Sequence, residues 1–392
     1  MRIGIDARTI LNPKKGEAVG SGHYTYQLIK HLLDLDKKNE YVLFLDFRAR
    51  EKDIKKFTLP NTKIIFYPFS DYRKYLPGAY NEILTAATLA KEKLDVLHST
   101  SPVSRIPTTY KGKTIATFHD MAMYKIPECF PRTTLMRNKV SYQLMAKKVD
   151  KIIAVSNSIK EDLDNIFKVG NKVEVIYSGL DKRFFNGTDD GAERILGKLG
   201  VGKKYILFLG TIEPSKNITR MLGAFASFKN KIIEENKKND INKKFDYQLL
   251  LVGKSGWLAK EYIQIAKDLG VKKDIIFAGY IIGDELLPLF KNAEFFILPS
   301  LYEGFGMTVL EAFATGTPAI VSRVSSLVEI ARDAAYFVNP IDTEGIANAI
   351  FSFSHDKNMR DEFKKRGLER AKDFDWDNVA KETLALYEKL NN

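Results

Sequence analysis

Short apolar runs alternate with longer amphipathic stretches along the whole chain. The short runs are rich in β-branched and aromatic residues, which favour strands. The stretches between them carry apolar residues at helical spacing. Strands that alternate with helices are typical of parallel α/β layers. The pattern predicts strands at residues 2–6, 41–46, 63–66, 95–98, 114–118, 151–155, 173–177, 204–209, 247–252, 275–278, 294–298, 318–322 and 335–338.

The runs at 205–209 and 295–298 are apolar at every position. This indicates strands that are buried on both faces. A polar, glycine-containing segment at 186–191 separates two strand-rich blocks, as expected of a domain boundary. We therefore predict two doubly wound, Rossmann-like domains and a closing helix, at residues 1–182, 183–373 and 374–392.

Composition limits the class of protein. The chain has 392 residues, of which 45% are hydrophobic, and this is enough apolar material for two cores. No apolar run reaches the roughly 18 residues of a membrane-spanning helix. Residues 1–6 predict a strand rather than a signal segment. The single cysteine, Cys129, allows no internal disulfide. These features predict a cytoplasmic protein.

The formal net charge of +12 fits nucleic-acid binding, an anionic membrane surface or a general lysine bias. No nucleic-acid-binding module is recognisable, and much of the excess is lysine in solvated segments such as 229–244, which we interpret as a helix end and loop. Residues 134–148 mix apolar and cationic residues at helical spacing. This fits a helix lying on the inner face of a membrane or a domain helix with one core face, and the second interpretation is favoured.

Residues 298–318 contain the most informative pattern. A buried strand is followed by a loop with Gly304 and Gly306, and a helix is predicted from Met307 to Gly316. Glycine lets the backbone approach a ligand closely, and the first amides of a helix are unpaired donors. The amides of Met307, Thr308 and Val309 are therefore suited to holding a diphosphate.

Two carboxylates, Glu303 and Glu311, flank this anion site. Carboxylates do not bind phosphate, but they accept hydrogen bonds from vicinal hydroxyls, as a sugar on one side and a ribose on the other would supply. The alternative is a strand-loop-helix unit with two solvated glutamates. The spacing of both carboxylates, the helix start and the aromatic Phe305 favour the ligand site.

Glu303, seven residues and Glu311, with Gly304-Phe305-Gly306 between them, resemble the paired-glutamate motif of retaining glycosyltransferases of the GT-B fold (group 1, family four). The resemblance implies two facing Rossmann-like domains that hold a nucleotide-sugar donor in the cleft between them. Glu311 is then expected to bind the ribose and Glu303 the transferred sugar.

Other segments match the same family in order along the chain. Lys216 matches a lysine that clamps the donor diphosphate, whereas Thr211 stands where a second cation is usual. The resemblance places further donor contacts at Gly210, Gly253, Tyr280 and Ile281. His119 matches a histidine that borders the reacting sugar, and it is counted as catalytic with Glu303 and Lys216. Gly20, Gly22, Tyr24 and Asp120 are expected on the acceptor side or in a phosphate loop. His98, also at a strand end, is interpreted as structural.

The implied reaction is hexose transfer with retention, through front-face attack with the departing phosphate as base. No cofactor or metal is expected, because Lys216 and helix amides meet the charge. Mannose from GDP-mannose is the first choice of donor. The acceptor would be a glycan or polyprenyl-linked lipid in surface polysaccharide or glycolipid assembly.

Three alternatives remain: an epimerase-type enzyme of the same fold, a nucleotide-sugar-binding protein without catalysis, and a dinucleotide oxidoreductase. Against the last, Thr25 replaces the third glycine of the dinucleotide fingerprint after Gly20 and Gly22.

Overall fold

The chain divides into two compact units. The computed structural model describes residues 1–10, 20–46, 54–67, 78–103, 106–240, 244–256 and 258–392. The first unit comprises Met1–Tyr124, Pro131–Gly179 and Asp375–Asn392, and the second comprises Lys125–Phe130 and Leu180–Phe374.

The first unit is built on a seven-stranded parallel sheet in the order β3-β2-β1-β4-β5-β6-β7. Its central strands are buried along almost their full length, which is typical of a parallel sheet covered on both faces. The strands are β1 (Arg2–Asp6), β2 (Glu40–Asp46), β3 (Thr62–Tyr67), β4 (Val96–Ser99), β5 (Lys113–Phe118), β6 (Lys151–Ala154) and β7 (Val173–Val175). The helices of this part of the chain are α1 (Ser21–Leu35), α2 (Gly78–Lys91), α3 (Ala122–Lys125), α4 (Arg132–Lys148) and α5 (Asn157–Phe167).

The second unit repeats this architecture with a six-stranded parallel sheet in the order β10-β9-β8-β11-β12-β13. Strand β11 is buried at every position and β8 is buried from Tyr205 to Phe208, in agreement with the apolar runs at 295–298 and 205–209. The strands are β8 (Lys204–Leu209), β9 (Tyr247–Val252), β10 (Ile275–Gly279), β11 (Phe295–Leu298), β12 (Ala319–Ser322) and β13 (Tyr336–Val338). The helices are α6 (Arg183–Asn186), α7 (Ala192–Leu199), α8 (Ile218–Lys238), α9 (Ala259–Asp268), α10 (Leu286–Lys291), α11 (Met307–Ala314), α12 (Ser325–Ala331), α13 (Thr343–His355) and α14 (Lys357–Ala371).

The final helix, α15 (Trp376–Asn391), returns to the first unit and packs on α1. Its Tyr387 is fully buried, and the Tyr387 hydroxyl lies 2.6 Å from Nδ1 of His98. Nε2 of His98 lies 2.7 Å from Oγ1 of Thr117. Burial lowers the pKa of His98 to about 3, so this histidine is neutral and structural.

All thirteen predicted strands are present, with ends that differ by at most two residues. In the chain, the first unit gives way to the second between Gly179 and Leu180, where the sequence predicted a limit at 182. The segment Lys125–Phe130 also belongs to the second unit. Helix α8 extends to Lys238, so the lysine-rich run begins inside a helix. Among the described residues, no helix is long and apolar enough to cross a bilayer.

Candidate functional site

Strand order reverses between β1 and β4 in the first sheet and between β8 and β11 in the second. Ligands of open α/β sheets bind outside the carboxyl ends of the strands at such a switch point. In the second unit, the loop at 210–217 follows β8 and the loop at 299–306 follows β11. The most informative sequence segments therefore meet where this fold binds ligands.

Hydrogen bonds tie these two loops together. The Leu301 amide donates to the carbonyl of Ser215 at 2.9 Å. Nδ2 of Asn217 donates to the carbonyls of Pro299 at 3.0 Å and Pro340 at 2.6 Å. Asn217 is buried and has a left-handed backbone with φ +60°. These bonds fix Lys216, the residue before Asn217, relative to the second loop.

Lys216 and Glu303 form an ion pair, with Nζ 2.6 Å from Oε1. Oγ of Ser300 donates to the same carboxylate oxygen at 2.7 Å. Both charged side chains are mostly buried, with 19% of Lys216 and 12% of Glu303 exposed. The structure thus brings together the predicted phosphate-binding cation and the predicted sugar-binding carboxylate.

Helix α11 begins after Gly306, whose φ of +100° favours glycine, and no side chain caps this end. The amide of Val309 donates to the Gly306 carbonyl at 3.0 Å. This leaves the Met307 and Thr308 amides as the better anion donors of the three predicted. The Phe305 side chain is buried and packs against Phe374 at 5.9 Å between ring centroids, so it belongs to the core.

Glu311 lies just over one turn into α11. Burial raises the pKa of its carboxyl to about 8, the charge of Arg183 opposes this rise, and Asp181 adds to it. The charge of Glu311 also helps to raise the pKa of Tyr280, after burial of the phenol, so Tyr280 is near this carboxyl. The raised pKa favours the protonated form of the Glu311 carboxyl in the ligand-free protein.

Three glycines line the carboxyl ends of β8, β9 and β10. The Gly253 amide donates to the Gly279 carbonyl at 2.8 Å. A Cβ atom on Gly253 would collide with the carbonyl oxygen of Gly210. The side chain of Tyr280 is 37% exposed, and Nζ of Lys254 lies 5.0 Å from its ring centroid. Thr211 and Ile281 are half-buried in the adjacent loops.

In the first unit, His119 follows β5, and its Nε2 lies 2.7 Å from the carbonyl of Thr100. Burial lowers the pKa of His119 to about 4, and the bond to Thr100 opposes this. The ring is therefore neutral, and because a carbonyl only accepts, Nε2 carries the hydrogen. Nδ1 of His119 is then a hydrogen-bond acceptor.

Tyr24 packs edge-on against the His119 ring, with 4.7 Å between centroids, and is buried. Gly20, with φ +59°, precedes the first turn of α1, which contains Gly22. Residues 11–19, which precede this segment, lie outside the described residues. Asp120 accepts the amide of Ala122. The structure joins Tyr24 to His119, and an acceptor-side role for these residues stays a prediction.

Sequence reasoning missed several contacts in these sites. The Thr100 carbonyl orients His119, Ser300 contacts Glu303, and Arg183 and Asp181 influence Glu311. Ser300 lies within the segment that the sequence singled out, so its position near Glu303 was visible. No sequence signal marked Arg183 or the Thr100 carbonyl.

Two family models match the chain. The model described as Glycosyltransferase Family 4 matches residues 19–184, and the model described as Glycosyl transferases group 1 matches residues 193–370. Between them they cover every strand of the two sheets except β1.

Among curated relatives, O-antigen chain mannosyltransferase B of Escherichia coli is 27% identical over 280 residues, which is 71% of each chain. An uncharacterised glycosyltransferase of Methanocaldococcus jannaschii is 32% identical over 247 residues, or 60% of this chain and 59% of the relative. Sucrose-phosphate synthase from Thermosynechococcus elongatus is a solved structure with the same fold, with a TM-score of 0.75, 20% identity and coverage of 100% and 99% of the two chains.

Proposed function

We propose that this chain, which belongs to the group 1 glycosyltransferases and has the GT-B fold, is a hexosyltransferase. It transfers a hexose from a nucleoside-diphosphate donor to a glycan or lipid-linked acceptor. The observation that best supports this function is the Lys216–Glu303 ion pair at the switch point of the second sheet, beside the amides that begin α11. A cation and amide donors suit a diphosphate, and a carboxylate suits sugar hydroxyls.

In this proposal Lys216 and the amides of Met307 and Thr308 stabilise the negative charge that develops on the departing diphosphate. They meet this charge without a metal or a cofactor. Glu311 accepts hydrogen bonds from the ribose. The neutral His119 of the first unit contributes Nδ1 as an acceptor for a substrate hydroxyl.

We further propose that transfer retains the anomeric configuration. The bond between C1 and the phosphate oxygen breaks, the acceptor oxygen bonds to C1 on the same face, and the acceptor proton moves to the departing phosphate. Oε1 of Glu303 already receives hydrogen bonds from Lys216 and Ser300, which suits a binding role better than that of a nucleophile.

Mannose from GDP-mannose is the proposed donor. The support is the similarity to an E. coli protein named as an O-antigen chain mannosyltransferase. That name also supports a place in surface polysaccharide or glycolipid assembly, where acceptors are carried on lipids.

Helix α4 supports a further part of the proposal, contact with an anionic membrane surface. Met136, Val140 and Leu144 are exposed by 76%, 51% and 44%, and their four-residue spacing places them on one helix face. The same helix buries Tyr142 and Met145. Its sequence contains five basic residues and no acidic one. The helix thus has a core face and a separate exposed apolar face. Arg132 and Lys147 of the same helix are also exposed, a combination that fits anionic lipid.

Thermal unfolding with GDP-, UDP- and ADP-sugars tests the donor class. A ligand that binds only the native state stabilises it by about 2.7 kcal/mol at a hundredfold excess over its Kd. We expect GDP-mannose to raise the Tm, and Glu311→Ala to reduce this shift. Glu369→Ala, which removes an exposed carboxylate on α14, is the matched control.

If a different nucleotide sugar stabilises the protein, GDP-mannose is the wrong donor. If none does, the donor site itself is wrong. Product analysis by NMR, after turnover with the stabilising donor, then distinguishes retention from inversion.

A further inference from the structure

Three serine hydroxyls surround Glu303 and contact its side chain and both of its backbone polar groups. Ser300 Oγ donates to Oε1 at 2.7 Å. The Glu303 amide donates to Ser325 Oγ at 2.9 Å. Ser326 Oγ donates to the Glu303 carbonyl at 2.8 Å. The loop residue is thus fixed at three points by neutral groups.

The two carboxylate oxygens of Glu303 differ in their contacts. Oε1 accepts from both Lys216 and Ser300. Within the part of the chain that the structure describes, Oε2 receives no donor at hydrogen-bond distance. A carboxylate oxygen has two lone pairs, so Oε1 is satisfied and Oε2 is left to accept from a ligand.

Ser300 is itself held rigidly. It is fully buried, and its carbonyl accepts a hydrogen bond from Ser322 Oγ at 2.6 Å. Its hydroxyl therefore approaches Glu303 from a fixed position. Without this hydroxyl, the Lys216 ammonium would be the remaining donor to Oε1. Because the lysine side chain is long and flexible, it would fix the orientation of the Glu303 carboxylate less well than Ser300 does.

Ser325 has a strained backbone, with φ +40°, at the start of α12. A non-glycine residue pays a conformational cost there, and such strain persists where the surrounding structure requires it. The Ser325 hydroxyl at this position accepts the Glu303 amide, a contact that glycine would not provide.

We propose that Ser300 and Ser325 are positioning residues that aim Oε2 of Glu303 at hydroxyls of the donor sugar and so determine which sugar is transferred. The inference rests on the proposed function, because it takes Glu303 as the sugar-binding carboxylate. It assigns the choice of sugar to the second loop, whereas affinity for the diphosphate belongs to Lys216 and the α11 amides.

A double-mutant cycle tests this inference. The variants are Ser300→Ala, Glu303→Ala and the double variant, measured as kcat/KM for the preferred nucleotide sugar and for its epimer, and as Kd for the free nucleoside diphosphate. We expect Ser300→Ala to lower kcat/KM for the preferred sugar about tenfold, as for loss of a hydrogen bond to a charged group, and to narrow the preference over the epimer. The Kd of the nucleoside diphosphate should change less than about twofold.

In the Glu303→Ala background, Ser300→Ala should have almost no further effect, because its action passes through Glu303. Additive losses, or an equal loss of nucleoside diphosphate affinity, would show that Ser300 merely supports the loop and would overturn the inference. Ser354→Ala, which removes a hydroxyl that bonds within α13, is the control.

Ser325→Gly provides a second variant that is expected to fold, because glycine adopts φ +40° without strain. It should keep or raise the Tm while lowering kcat/KM several-fold, a combination that a purely structural role does not produce. Unchanged kcat/KM would contradict the inference. If the wild-type chain turns over no nucleotide sugar, the proposed function fails first, and the positioning role fails with it.

Discussion

Glu311 is the residue whose protonation matters most for the proposed donor site. Burial raises its pKa to about 8, so it must release a proton to accept hydrogen bonds from two ribose hydroxyls. We expect nucleoside diphosphate affinity to rise with pH, by up to about tenfold per pH unit below 8. Calorimetry in buffers of different ionisation enthalpy measures the proton released.

Glu311→Gln separates this effect from titration of the diphosphate, because glutamine has nearly the same shape as glutamate but does not titrate. The affinity of this variant for the nucleoside diphosphate should lose the part of its pH dependence that Glu311 causes. Equal slopes of affinity against pH in the two proteins would contradict the expectation.

The same carboxyl makes the stability of the protein depend on pH. Since its folded pKa is raised above the ordinary value of 4.5, its contribution to the free energy of unfolding is present below pH 4.5 and is lost as pH rises to 8.

The carboxyl ends of β8, β9 and β10 are the elements that give the donor site its shape. Gly253 has φ +150° and lies against the Gly210 carbonyl, so it has no room for a Cβ atom. Gly253→Ala should lower the free energy of unfolding by roughly 3 kcal/mol and weaken nucleotide binding. Urea unfolding and a nucleotide titration measure both.

Gly197→Ala is the matched control for this element. Gly197 lies in α7, and no atom lies within 4 Å of a Cβ built there. Alanine should therefore stabilise the protein by up to about 1 kcal/mol. If Gly253→Ala is as well tolerated as Gly197→Ala, the close approach of these strand ends is not required.

The elements were predictable, whereas many of the contacts were not. The positions of strands and helices could be inferred from periodicity, because a buried parallel strand must be apolar. Lys216 and Glu303 lie in the loops after β8 and β11, which are neighbours in the sheet. The role of Ser300 depends on which carboxylate oxygen it reaches, and that of Arg183 on packing of residues far apart in sequence. Periodicity contains no information on either.

Phe305 illustrates a limit of motif reasoning. Its place between two glycines suggested a ligand contact, but the ring packs in the core against Phe374. An aromatic residue in a glycine-rich loop anchors that loop as readily as it contacts a ligand, and only the direction of the side chain decides between the two.

At the scale of the whole molecule, the net charge of +12 and the exposed face of α4 favour the same partner. We expect the protein to sediment with vesicles that contain anionic lipid and much less with neutral ones, and salt to weaken binding. Replacing Met136, Val140 and Leu144 together by serine should reduce vesicle binding at least tenfold, because burial of their apolar surface is lost.

Val328→Ser is the control for this test, since Val328 is an exposed apolar side chain in the second unit. If the wild-type protein does not bind anionic vesicles, the membrane surface is removed from the proposal. That result would not affect the proposed hexose transfer, which does not depend on vesicle binding. The triple variant should accordingly still bind nucleotide sugar.

The return of α15 to the first unit has a consequence for biosynthesis. Tyr387, the hydrogen-bonding partner of the buried His98, and the fully buried Trp376 are synthesised only after the whole second unit. Domains usually fold as they are made, the amino-terminal one first. Here the first unit begins to form early but completes its core only after the whole second unit has been synthesised. A nascent chain that stops before Asp375 exposes the apolar surface of α1 that α15 covers, which makes it a substrate for chaperones and proteases.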